Sequence, residues 1–270
     1  MTLDERIKEV VKKQHFTFDD LVDIVRFLRS EKGCPWDREQ THDSIEINAI
    51  EETYELIDAV KKRSPEKMIE ECGDVILQPV FHAIMGEEEG TFNVQQIIDG
   101  ECRKLIDRHS HIFGQDSAVD AESALKYWEK NKYTEKKLES AGQRVGDVPN
   151  NLPALLRAEK VQKRASKFNC DFSSDTQIYD KIKEECEEVR LAKQSGDKDK
   201  LKEEIGDLLF TAVNLARYYG VECETALSSS TEKFISRFLQ VEELIQSEGK
   251  TFSELTPEQV DGYYNEIKKR

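Results

Sequence analysis

Apolar residues recur along this chain at intervals of three and four, and almost nowhere at intervals of two. In "FTFDDLVDIVRFLRSEKG" the positions Leu21, Ile24, Val25 and Leu28 form a helical stripe closed by Gly33. "GCPWDREQTH" interrupts the pattern, and Asp43 or Ser44 is placed to cap the next helix. That helix runs through "IEINAIEETYELIDAVKKR" to a breaker at Ser64-Pro65. A third covers "EKMIEECGDVILQPVFHAIM", with a kink expected at Pro79, which cannot donate a backbone hydrogen bond. A fourth reads "VQQIIDGECRKLIDRHSHIF". Residues 139–151, "ESAGQRVGDVPNN", collect Gly, Pro, Asn and charge and are expected to form a linker. Beyond them "LPALLRAEKVQKRASKF", "TQIYDKIKEECEEVRLAKQ", "KDKLKEEIGDLLFTAVNLARYYG" and "CETALSSSTEKFISRFLQVEELIQSEG" again carry helical periodicity. The reading is an all-α chain of two helical-bundle domains, 1–138 and 152–270.

The two halves repeat one plan. At an offset of 133 residues, Glu51, Glu52, Glu55, Glu71 and Asp74 fall on Glu184, Glu185, Glu188, Glu204 and Asp207 without a gap. Gly73 and Gly206 also coincide, as do the apolar runs that follow them. An internal duplication with retained chemistry accounts for this.

The spacing has a geometric meaning. In the second half the turn between two helical runs centres near Gly196, with Glu188 and Glu204 each eight residues away and Glu185 and Asp207 each eleven away. At ~1.5 Å rise per residue, antiparallel helices bring equidistant residues to the same height. Glu188 is therefore expected to face Glu204, and Glu185 to face Asp207; i, i+3 spacing keeps each pair on one face of its helix. In the first half Glu55 pairs with Glu71 and Glu52 with Asp74, about a centre at Arg63. Like charges so close raise one another's pKa and oppose folding. A hard divalent cation removes the conflict, and an oxygen-only donor set favours Mg²⁺, Mn²⁺ or Ca²⁺. Mg²⁺ keeps open positions for water and phosphate, so each cluster is expected to be a Mg²⁺ site completed by a polyphosphate. Zinc is disfavoured because no Cys or His stands at ligand spacing, and the Glu-x-x-His pair of di-iron bundles is missing.

Composition narrows the partner. With 35% charged residues and a net charge of −15, neither nucleic acid nor an anionic membrane is expected as a partner. A phosphorylated small molecule remains compatible if a cation neutralises part of the site. No apolar run approaches the ~20 residues needed to cross a bilayer, and "MTLDERIKEV" lacks a signal-peptide core. Six cysteines without a C-x-x-C pair suggest reduced thiols. A soluble, cytoplasmic protein is expected.

The motif E-E-x-x-E followed by E-x-x-D, present as "EETYE…ECGD" and "EECEE…EIGD", resembles the all-α nucleoside triphosphate pyrophosphohydrolases. The tandem arrangement, with "GCPWDREQTH" in the first half and "LPALLRAEKVQKRASK" opening the second, is similar to the MazG family over essentially the whole chain. The resemblance implies Mg²⁺-dependent hydrolysis of nucleoside triphosphates to monophosphate and pyrophosphate, with Mn²⁺ as a substitute ion. It also implies broad, house-cleaning specificity, dimerisation or higher homo-oligomerisation, and a main active site in the C-terminal half. Carried over by position, the metal ligands would be Glu185, Glu188, Glu204 and Asp207, with Glu52, Glu55, Glu71 and Asp74 as a second set. Phosphate contacts would come from Lys233 and Arg237, matched in the first half by Lys104 and Arg108. Tyr264 and Lys268 stand where the family has an aromatic and a lysine four apart, and Lys181 and Glu184 are further nucleotide contacts. Glu184 or Glu185 would be the general base.

Two alternatives stay open at this point: a narrower dUTPase-like or phosphoribosyl-ATP-type pyrophosphatase, and a non-enzymatic metal-binding dimerisation scaffold. His109 and His111 read as a helix end, Cys72 and Cys186 as packing residues, and Trp36 as either a base contact or a hydrophobic plug.

Overall fold

A computed structural model describes residues 1–269. Among the described residues all regular structure is helical, and no helix is long and apolar enough to cross a membrane. Two compact units divide the chain, Met1–Lys132 and Tyr133 onward. The first carries α1 (Leu3–Val10), α2 (Phe18–Leu28), α3 (Pro35–Glu39), α4 (Glu46–Lys61), α5 (Pro65–Glu89), α6 (Val94–Arg108) and α7 (Ser110–Phe113). The boundary falls inside α8 (Ala121–Glu135). The second unit holds α9 (Ala141–Gly146), α10 (Ala154–Ser166), α11 (Asp175–Ser195), α12 (Lys198–Tyr218), α13 (Cys223–Ser247) and α14 (Pro257–Lys269).

In the first unit α2 packs onto the far half of α5 through Val25 and Leu21 of the foreseen stripe and through Val22, which the stripe left out. Val22, Val25, Ile45, Val80, Phe81, Ile84 and Met85 form the buried cluster, flanked by Leu21, Leu77 and Val94. Polar clips lock the same pair of helices. The Arg26 guanidinium donates to both oxygens of Glu87 at 2.8 to 3.1 Å, and Arg29 donates to Glu88 and to the Asp37 carbonyl. Arg29 is buried, so its bonds to a carboxylate and a carbonyl compensate for lost hydration. α5 runs as one helix through the exposed Pro79. Long apolar packing downstream of the proline holds the helix together.

The expected linker is a built part of the second unit. Ser140 caps α9 with a reciprocal bond from Gln143, Val148 is buried, and Arg164 of α10 donates to the Arg144 carbonyl. Asp147 receives Lys136 at 2.8 Å and Arg164 at 3.4 Å. The glycines of the stretch, Gly142 and Gly146, lie within α9, and Lys136 and Arg164, which pair with its Asp147, come from outside it. The core of α13 and α14 is small: Val241, Ile245 and Ile267, with Phe252, Leu255, Tyr263 and Tyr264 around it.

Two helical hairpins, α4–α5 and α11–α12, dominate their units. Ser64 caps α5 with Pro65 at its first position, and Asp197 caps α12 by accepting from the amides of Asp199 and Lys200. The turn residue is left-handed in both hairpins, Gly196 at φ +74° and its repeat partner Arg63 at φ +51°. Glycine adopts that conformation without a Cβ clash, whereas an L side chain pays for it. We expect Gly196→Ala to lower stability by about 1 kcal/mol and Arg63→Gly to raise it by a few tenths to 1 kcal/mol. Urea unfolding of the two variants checks both signs.

Candidate active site

Each hairpin gathers three carboxylates. Glu185 and Glu188 of α11 meet Glu204 of α12, with one oxygen from each within 4.8 Å of the others. Glu52 and Glu55 of α4 meet Glu71 of α5 within the same limit. The mirror spacing about the turns thus brings these six residues together as foreseen. Asp74 and Asp207 fall outside the triads. Asp74 is nonetheless the strongest charge acting on Glu52, whereas Asp207 is exposed.

The electrostatics are those of an unneutralised anion cluster. Burial, then the charges of Asp74, Glu55 and Glu71, push the Glu52 carboxyl above the usual carboxylate range. Burial and Glu55 do the same to Glu71, partly opposed by Lys67. In the second half burial, Glu204 and Glu185 raise Glu188. Lys181 answers there: its ammonium lies 2.8 Å from Glu184 Oε1 and 2.8 Å from Glu185 Oε1, and these bonds raise its own pKa.

Glu185 is the most telling member of the set. Its residue is 3% exposed, and Oε2 is buried with no hydrogen-bond partner. A buried carboxylate oxygen without a donor is costly unless a cation or water meets it. Three carboxylates at this separation, one with an orphaned oxygen, have the donor chemistry of a hard divalent cation site. In the first half the buried member is Glu71 instead, so the enclosed acid lies on the opposite helix of the hairpin. A recess lined by Tyr54, Glu55, Asp58, Lys67 and Glu71 opens beside it.

The basic candidates of α6, α13 and α14 have contacts of their own. Lys104 pairs with Glu101 one turn away. Arg108 is buried with its guanidinium 5.3 Å above the Trp128 ring. Lys233 is exposed and Arg237 half-buried on α13. Tyr264 lies 5.9 Å from Phe234, next in sequence to Lys233, and carries the Lys268 ammonium 4.9 Å over its ring. α13 and α14 therefore bring the aromatic, Lys268 and the neighbourhood of Lys233 together.

Sequence reasoning missed Trp128 and Lys132, whose ammonium sits 5.2 Å over the indole. The signal was available: an aromatic and a lysine four apart, the spacing already noted at Tyr264 and Lys268. Trp36, read as a plug or a base contact, is 59% exposed on α3. That exposure excludes the plug. His109 ends α6 with Nδ1 at 2.6 Å from the Leu105 carbonyl, as a helix-end histidine does.

With this geometry in view the comparisons with known proteins are direct. The MazG nucleotide pyrophosphohydrolase domain matches twice, at residues 40–113 and 173–241, each match enclosing one carboxylate hairpin. A nucleoside triphosphate pyrophosphohydrolase/pyrophosphatase MazG of Thermotoga maritima is 41% identical over 258 residues, 96% of this chain and 98% of the relative. A nucleoside triphosphate pyrophosphohydrolase of Escherichia coli K12 is 38% identical over 255 residues, 93% of this chain and 97% of the relative. YabN of Bacillus subtilis, an uncharacterized protein, is 39% identical over 258 residues that make up 53% of its length. By its duplicated domain and by full-length similarity to proteins of that name, this chain belongs to the MazG family of nucleotide pyrophosphohydrolases.

Proposed function

We propose that the chain hydrolyses nucleoside triphosphates between the α and β phosphorus atoms, releasing the monophosphate and pyrophosphate, chiefly at the second-half cluster. The observation that carries this is the buried Glu185 with its unpartnered oxygen, set within 4.8 Å of Glu188 and Glu204. Glu185, Glu188, Glu204 and Asp207 would hold Mg²⁺, with Mn²⁺ as a substitute. When bound, such an ion supplies neutralisation of the polyphosphate and activation of a water. The chain's own residues do the rest. Glu184, exposed beside the cluster and hydrogen-bonded by Lys181, or Glu185 itself, accepts the proton of the water that attacks the α-phosphorus. Lys233 and Arg237 steady the departing pyrophosphate, and Tyr264 with Lys268 offers a face for the base. The first-half acids Glu52, Glu55, Glu71 and Asp74 form a second metal-binding set, with Lys104 and Arg108 as its phosphate contacts, and its contribution is secondary.

Replacing Glu204 by Gln should lower pyrophosphate release by about 100-fold or more, with helix content by circular dichroism unchanged. Full turnover in that variant sinks the assignment. Phosphorus NMR of the products identifies the bond cleaved.

A second copy of the chain is proposed to cover the apolar faces. On α12 Leu209 is 55% exposed, and on α13 Leu239 is 53% exposed, alongside Ile205, Phe210, Leu227, Phe234 and Ile235. Large apolar side chains this exposed are unfavourable in water and are expected at an interface. The wild type is expected to elute as a homodimer or larger homo-oligomer in light-scattering chromatography, and Leu209→Glu combined with Leu239→Glu to shift it toward monomer.

The raised carboxyls set a pH dependence. A carboxyl with a raised folded-state pKa keeps its proton longer in the folded than in the unfolded chain, so stability falls as pH climbs above the ordinary carboxylate range. In divalent-free buffer, Glu52→Gln with Glu71→Gln should melt higher than wild type at pH 7, and the difference should close on acidification. Added Mg²⁺ should raise the wild-type melting temperature more than that of the variant.

A further inference from the structure

The two hairpins differ at one position that bears on how a cation enters. Lys181, one turn before the acids of α11, has Asn48 as its partner at the 133-residue offset. Its ammonium bridges Glu184 and Glu185, and Glu185 is almost wholly enclosed. An exposed lysine pairing with an exposed glutamate along a helix contributes only a few tenths of a kcal/mol. Here the partner is buried, and Lys181 gives the enclosed carboxylate a close positive charge. Only Oε1 of Glu185 is served; Oε2 is left without a donor. The site is thus half compensated: one monovalent charge stands where three carboxylates call for a divalent one. In the first half Asn48 offers no ammonium, and the charges that act most strongly on Glu52 are all acidic.

We propose that Lys181 is an exchangeable counter-ion for the second-half site. In the nucleotide-free chain its ammonium holds Glu185 in place and disfavours a divalent cation by like-charge repulsion. An arriving triphosphate draws the same ammonium onto its phosphate oxygens, so cation and nucleotide enter together. No bond is made or broken; one ammonium changes anionic partners. The lysine's flexible four-carbon stem and compact charge suit it to moving between two oxygen clusters. Asn48 cannot do this, so the first-half cluster lacks the coupling. The inference rests on the second-half cluster being the metal site proposed above.

The test measures free Mn²⁺ by electron paramagnetic resonance with the full-length chain, in a Glu52→Gln, Glu71→Gln background that leaves the second-half cluster as the binding site. The nucleotide probe is an ATP analogue with methylene between the α and β phosphorus atoms. With Lys181 present, the analogue should tighten Mn²⁺ binding by about tenfold or more. Lys181→Gln should tighten Mn²⁺ binding without nucleotide by a similar factor and abolish most of the analogue's effect. Lys181→Arg, which keeps the charge, should restore the coupling; circular dichroism of both variants monitors folding. Equal Mn²⁺ affinity with and without analogue, or a Lys181→Gln variant that binds Mn²⁺ no better than its parent, overturns the exchange while leaving the metal site standing. Absence of Mn²⁺ binding under every condition overturns both.

Discussion

Enclosing a carboxylate between two antiparallel helices is the constraint around which each half of this chain is arranged. Glu185 in one hairpin and Glu71 in the other are almost sealed from water, each with two further acids within 4.8 Å. Left alone such a group repels its neighbours and opposes folding. The surrounding structure offsets that strain in several ways. The apolar run beyond the acids anchors α5, with Val80, Phe81 and Ile84 in the cluster that α2 joins. Strong caps at Ser64 and Asp197 fix where the second helix of each hairpin begins. Lys181 supplies part of the missing positive charge in the second half.

The hairpins and their acids were legible because periodicity and position alone govern them. Counting outward from Gly196 and Arg63 paired Glu188 with Glu204 and Glu55 with Glu71, and the structure joins them. Asp207 lies outside the triad and is exposed; height along a helix does not specify which way a short side chain turns. Residues 139–151 looked like a linker because their own composition is that of a loop. The partners that fix them, Lys136 and Arg164, lie outside the stretch. Arg108 matched a basic motif by spacing, yet its guanidinium is buried against Trp128, twenty residues further on. Tertiary partners decide such cases, and local sequence does not carry them.

The duplication has not kept its halves equivalent. The enclosed acid sits on α5 in the first and on α11 in the second. An asparagine stands where the second half has Lys181, and an arginine where it has a left-handed glycine. Each change leaves the first hairpin less well compensated: more repulsion among its acids, and a side chain in a conformation that glycine tolerates better. The second hairpin is the better prepared of the two for an ordered, charge-balanced site, in keeping with its assignment as the main one.

The short turns have an evolutionary corollary. Only Gly196 and Asp197 separate α11 from α12, and Lys62, Arg63 and Ser64 separate α4 from α5. Inserting or deleting one residue there would slide one helix by ~1.5 Å and rotate it by about 100° relative to the other. Every acid would survive in the sequence, yet the triads would be dispersed. Among descendants of such a hairpin, length at these two connections is constrained as tightly as the identity of the acids, whereas surface loops elsewhere are free to grow or shrink.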